Sequence, residues 1–124
     1  MNQDDHYAAY ELGKKGERLA CHYLIKKGYI LLDLNFKCKL GEIDIVAKKN
    51  DTVYFFEVKT RSDLLYGEPI DFIGKRQLGH LVKAIDYYRI KNSLEGIGLQ
   101  IDAIELLVKD EKWYIRHTED MVMF

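Results

Sequence analysis

Apolar residues recur along this chain at two different spacings. Between residues 4 and 27, Leu12, Leu19, Ala20, Tyr23 and Leu24 return at the interval of a helix, and Gly28 after Lys26 and Lys27 is a natural stop. That spacing predicts a long amphipathic helix. Residues 29–35, 42–48 and 52–60 read as strands, with Lys49, Asn50 and Asp51 as the tight turn between the last two, so the three form a meander. Residues 61–73, which contain Gly67 and the only proline, Pro69, read as a loop beside the strand ends. Helical spacing returns over residues 75–91 through Leu78, Leu81, Val82, Ile85 and Tyr88 and is broken over 92–98. Strands follow over 99–108 and 113–117, separated by a turn at Asp110, Glu111 and Lys112. The N-terminus and a tail at 118–124 carry no pattern and are read as flexible. Helix, three strands, helix and two strands describe an α/β fold, a central mixed β-sheet flanked by helices.

Charged residues interrupt two of the apolar runs. Gly41-Glu42-Ile43-Asp44-Ile45-Val46 holds an aspartate among β-branched residues, and Val53-Tyr54-Phe55-Phe56-Glu57-Val58-Lys59 ends in glutamate, valine and lysine. Charges rarely sit in such runs without a partner. Alternation places Glu57 and Lys59 on one face, and pairing the runs as a hairpin brings Asp44 onto it. Two carboxylates and an ammonium can hold a divalent cation and a phosphodiester together, which points to a nuclease-type site. The same three residues also fit a cross-strand charge cluster, at roughly 0.2 to 1 kcal/mol per pair, and spacing alone does not choose between the two.

Composition narrows the picture without deciding it. The chain has 124 residues, 48% of them hydrophobic, which suits one domain over 1–124 with one core. A net charge of -1 gives no overall pull toward nucleic acid, so any DNA contact must come from a local patch. No basic stretch followed by an apolar run opens the sequence, and no apolar segment approaches the roughly 20 residues needed to cross a bilayer. The expectation is a soluble cytoplasmic protein with no membrane contact. Cys21 and Cys38 lack the spacing of a zinc site and read as free thiols. His6, His22, His80 and His117 are scattered singly, and none is read as a ligand.

Gly16-Glu17, Gly41-Glu42-Ile43-Asp44 and Glu57-Val58-Lys59-Thr60-Arg61 resemble the small bacterial YraN-type family over residues 13–107. That family is similar in turn to archaeal Holliday-junction resolvases and to the restriction-endonuclease-like superfamily with its PD-(D/E)xK motif. The resemblance implies a restriction-endonuclease-like fold and a metal-dependent DNA endonuclease that hydrolyses phosphodiester bonds, acting on branched or recombination intermediates. It makes Asp44 and Glu57, with the carbonyl of Val58, ligands for Mg²⁺ or Mn²⁺. Lys59 becomes the catalytic lysine and Glu17 a further acid able to serve a second metal. Two positions depart from the pattern. Ile43 stands where the superfamily has its proline, and Gln100-Ile101-Asp102 stands where the family often has arginine, phenylalanine and aspartate.

Basic residues next to the motif could hold DNA. Arg61, Lys75 and Arg76 are placed to meet phosphates, Gln77 to hydrogen-bond a phosphate or a metal-bound water, and Tyr66 to stack on a base. Glu17, beside Lys14, Lys15 and Arg18, also fits an ordinary solvated helix position, and Glu42 reads as facing solvent. A chain this short covers little DNA, so cutting both strands requires a homodimer. The competing expectation is a non-catalytic DNA-binding or protein-interaction module on the same fold, suggested by the near-neutral charge.

Overall fold

The computed structural model describes residues 3–62 and 75–122. Its elements run α1 (Gln3–Lys26), β1 (Ile30–Cys38), β2 (Gly41–Lys49), β3 (Thr52–Ser62), α2 (Lys75–Lys91), β4 (Gly98–Lys109) and β5 (Lys112–Val122). The strands form one sheet in the order β1-β2-β3-β4-β5. All neighbours are antiparallel except β3 and β4, whose parallel register runs from Thr52↔Gly98 to Ser62↔Val108. Parallel neighbours need a crossover, and α2 lies in that connection.

The signals at the element ends work as the sequence suggested. Gly28, at φ 96°, closes α1 by letting its own N–H reach Ile25 O and that of Tyr29 reach Leu24 O, both at 3.0 Å. Asn50, at φ 55°, makes the two-residue turn between Lys49 and Thr52. Three strands run two residues or more past an expected limit, β3 by taking Arg61 and Ser62 from the loop expected over 61–73, whose other residues lie outside the described ones. Strand β1 continues past Asn35 to Cys38, its alternation hidden by a register shift between Leu31 and Asp33 and by the left-handed φ of 53° at Asn35. Strand β5 takes in residues 118–122, read from sequence as a tail. The ladder resumes at Ile101↔Val122 beyond a register shift, and a left-handed Asp120 breaks the period of two.

Among the described residues, each face of the sheet is covered by one helix. Ala20 and Leu24 of α1 pack with Ile45, Ala47, Phe56, Ile104 and Leu106. Leu81, Ala84, Ile85 and Tyr88 of α2 pack on the other face with Ile43, Val46, Val53, Phe55 and Ile101. Two glycines set how near the helices come. A side chain at Gly16 would run into Thr60 of β3, and one at Gly41 would stand 2.7 Å from the carbonyl oxygen of His80 in α2. Gly16 precedes Glu17, and Gly41 opens the strand that carries Asp44. The close approaches therefore occur where candidate site residues emerge. Among the described residues no helix is long and apolar enough to cross a membrane.

Candidate metal site where two strands part

The β2–β3 ladder pairs Lys49↔Thr52 through Ile45↔Phe56 and stops there. Asp44 and Glu57 come next, where the strands part. The Asp44 carboxylate fills the gap, with Oδ2 accepting the backbone N–H of Val58 at 2.8 Å. A buried N–H that loses its strand partner must find another acceptor, and here a side chain supplies it. Glu57 is held from the opposite helix, where Gln77 Nε2 donates to its Oε1 at 2.8 Å. Gln77 lies on the first turn of α2. The β2–β3 hairpin and the crossover helix thus meet at one pair of carboxylates.

Both carboxyl groups titrate far from their usual range. Burial is the main cause for each. Asp44 is raised to about 6, its bond from Val58 N–H opposing the rise and the charges of Glu17 and Glu42 adding to it. Glu57 is raised from 4.5 to about 8, by burial first and then by the negative charge of Asp44. Lys59 pulls both down through its charge. Two carboxylates sharing so small a space cannot both ionise cheaply, so one retains its proton unless a cation arrives.

A cavity of about 140 Å³ opens on this pair, lined by Glu42, Asp44, Glu57, Gln77, His80 and Leu81. Asp44 also borders a second cavity with Glu17. Glu17, Val58 and Lys59 border a third. Asp44 and Glu57 are therefore brought together, while Glu17 and Lys59 flank them from neighbouring cavities. Glu17 is engaged by Lys14 at 3.7 Å and by Asn35 Nδ2 at 3.5 Å. Arg61 stands 3.6 Å from the buried Glu105, with its side chain only 15% exposed, and so faces into the sheet rather than outward. Arg76 is exposed. Tyr66 and the side chain of Lys75 lie outside the described residues. Sequence reasoning missed His80 as a lining residue, while Glu42 is exposed, as read from sequence, and also borders the cavity. Glu42 was visible as a charge two positions before Asp44, whereas nothing local to His80 marks it, because the packing of α2 over Gly41 puts it there.

A further polar group lies away from this pair. Asp102, fully buried, receives Gln100 Nε2 at 2.9 Å and the N–H of Asp120 at 3.0 Å on Oδ1, while its Oδ2 lies 2.7 Å from His117 Nε2. His117 Nδ1 meets Tyr23 Oη of α1 at 2.8 Å. Gln100, one of the departures from the family pattern, thus supplies a donor to the aspartate. Asp102, His117 and Glu119 present ligand atoms within 4.8 Å of one another, a group that could hold a metal ion. Glu17, Asp44 and Glu57 do not gather that closely in the structure. His117, set aside from sequence, belongs to this group because β5 pairs with β4 in register His117↔Ile104, two residues from Asp102.

A mixed five-stranded sheet with a helix on each face, carrying paired acids where two of its strands part, is the architecture of the restriction-endonuclease-like class. Within that class the chain belongs to the Uncharacterised protein family UPF0102, the YraN-type group, whose family model matches residues 16–106. It is 39% identical over 114 residues to a UPF0102 protein of Christiangramia forsetii, covering 92% of this chain and 95% of the relative. Relatives of the same name from Alkaliphilus oremlandii and Carboxydothermus hydrogenoformans are each 38% identical. These matches span 112 residues (89% of this chain, 96% of the relative) and 114 residues (92% and 97%).

Proposed function

We propose that this protein is a metal-dependent DNA endonuclease that hydrolyses phosphodiester bonds, with branched DNA as its substrate class. The observation that carries this reading is the pair Asp44 and Glu57, two acids pushed up in pKa by burial, Glu57 further by the charge of Asp44, opening on one cavity with Lys59 bordering a neighbouring one. Hard carboxylate oxygens at mutual repulsion suit Mg²⁺ or Mn²⁺, which would remove that repulsion. Asp44, Glu57 and the Val58 carbonyl would hold the ion, with Glu17 a further acid that borders a neighbouring cavity together with Asp44. A divalent cation there supplies Lewis-acid stabilisation of phosphate charge and lowers the pKa of water.

The chain's own groups have distinct roles in this reading. The Val58 N–H fixes the Asp44 carboxylate, and Gln77 orients Glu57, so both ligands are set by bonds to separate elements. Lys59 stabilises negative charge that develops on the phosphate. Arg76 and Lys75, at the start of α2, take neighbouring phosphates. Cutting both strands of a duplex calls for two copies of the chain.

The test is calorimetric titration of Mg²⁺ and Mn²⁺ into the wild type and Asp44→Asn, with cleavage of linear and four-way-junction DNA followed in parallel. Metal binding and cutting that both disappear in Asp44→Asn are expected. Cutting that survives the substitution assigns the activity elsewhere. A second reading, a non-catalytic DNA-binding or protein-interaction module, is favoured by the net charge of -1 and predicts that DNA binding is indifferent to Asp44→Asn.

A further inference from the structure

We propose that a cleft between α1 and β1 receives an unpaired nucleobase of the DNA next to the bond that is cut, an inference resting on the nuclease reading above. A cavity of about 320 Å³ lies between these elements, at the lower end of the range for small-molecule sites. Residues three or four apart on α1, from Lys14 to His22, form one wall. Leu31 and Leu34 of β1 with Ile45 of β2 form the apolar wall opposite. Leu34 keeps 48% of its surface in water, a cost that a flat apolar occupant would remove.

The position of the cleft ties it to the candidate metal ligands. Asp44 lines both this cleft and the cavity that holds Glu57, so an occupant of the cleft sits one side chain away from the paired acids. Glu17 likewise lines the cleft and the cavity that holds Lys59. The acids therefore mark the side of the cleft that faces the chemistry. Lys14 and the exposed Arg18 supply positive charge along the helix wall.

A nucleotide has a matching distribution of chemistry, with a base whose flat faces are apolar and anionic phosphate on either side. Its base fits the surface offered by Leu31 and Leu34, its outer phosphate falls to Lys14 and Arg18, and its cleaved phosphate faces Asp44. Asn35 also lines the cleft, its amide nitrogen 3.5 Å from Glu17 Oε2. A carboxamide both donates and accepts, so it can meet the edge of any base and imposes little sequence preference. Bases inside a duplex are covered on both faces by stacking, so only an unpaired or extruded base reaches such a wall. The substrate class is accordingly DNA with an unpaired nucleotide at the cut, as at a fork or flap.

The experiment uses the full chain in chelator, so that no metal-dependent cutting can occur. A forked duplex carrying 2-aminopurine as the unpaired base at the branch is compared with the same strand fully paired. The wild type is expected to change the probe's emission and to bind the fork about tenfold more tightly than the duplex, the scale of one stacked base. Leu34→Gln should bring that ratio to about one with an unchanged thermal midpoint, and Arg18→Gln should weaken fork binding. Equal affinities in the wild type, or a preference that survives Leu34→Gln in the folded variant, overturn the proposal. Adding Mn²⁺ to the same samples separates the two ideas. Fork preference without cutting keeps the cleft and removes the nuclease reading, and cutting without fork preference does the reverse.

Discussion

At Glu57 the protein holds an acid whose protonated form is favoured by folding. A carboxyl with a native pKa near 8 and an ordinary value of 4.5 binds its proton more tightly in the folded state. Its contribution to stability is therefore complete below pH 4.5 and is lost as the pH rises through 8. Glu57→Gln keeps an acceptor for Gln77 and removes the titration. Urea unfolding across that window should show a flatter profile for the variant, with a gain on the order of 2 kcal/mol over wild type at pH 8 in chelator. A gain of equal size at pH 4 would mean that the carboxyl is not the source. Asp44→Asn differs in kind. The amide can still accept from Val58 N–H, so it should fold while losing divalent-metal binding.

Helix and strand placement was legible from periodicity, and so were Asp44, Glu57 and Lys59, since charges within apolar β-runs stand out on a printed chain. What periodicity could not carry is how the elements meet. The stop of the β2–β3 ladder at Ile45↔Phe56, which turns Asp44 toward Val58 N–H, depends on the parting of two strands and has no local signal. The burial of Arg61 against Glu105 depends on the parallel register Arg61↔Leu107, set by residues more than forty positions away in the chain. Gly16 and Gly41 were visible as motif residues but not as spacers. Gly41→Ala would press a methyl group onto the α2 backbone at His80 and should cost about 1–3 kcal/mol in denaturant unfolding. It should also loosen the bond from Gln77 to Glu57, because α2 must shift to make room. Full stability in Gly41→Ala would rule out that close approach.

Over the whole molecule, metal, proton and fold are linked. If Asp44 and Glu57 bind a divalent cation, the ion must displace the proton that their crowding retains, so affinity rises with pH. The thermal midpoint should increase on adding Mn²⁺, and by more at pH 8 than at pH 6. Asp44→Asn should abolish the increment at both. Light scattering at micromolar concentration should give twice the 14.6 kDa chain mass if the paired-cut version of the function holds. Monomers alone would leave single-strand nicking.

The parallel contact between β3 and β4 also bears on how the chain assembles in time. Asp44 and Val58 belong to a hairpin whose ends are neighbours in sequence, so their hydrogen bond can form early. The eleven-residue register from Thr52↔Gly98 onward closes only after the whole crossover has folded back, and such non-local pairings limit folding rates. Gln77 arrives with that crossover. The two acids thus meet in the nascent hairpin, both ionised at neutral pH, before the residue that steadies one of them is in place, and a proton is taken up only when the rest of the fold buries them.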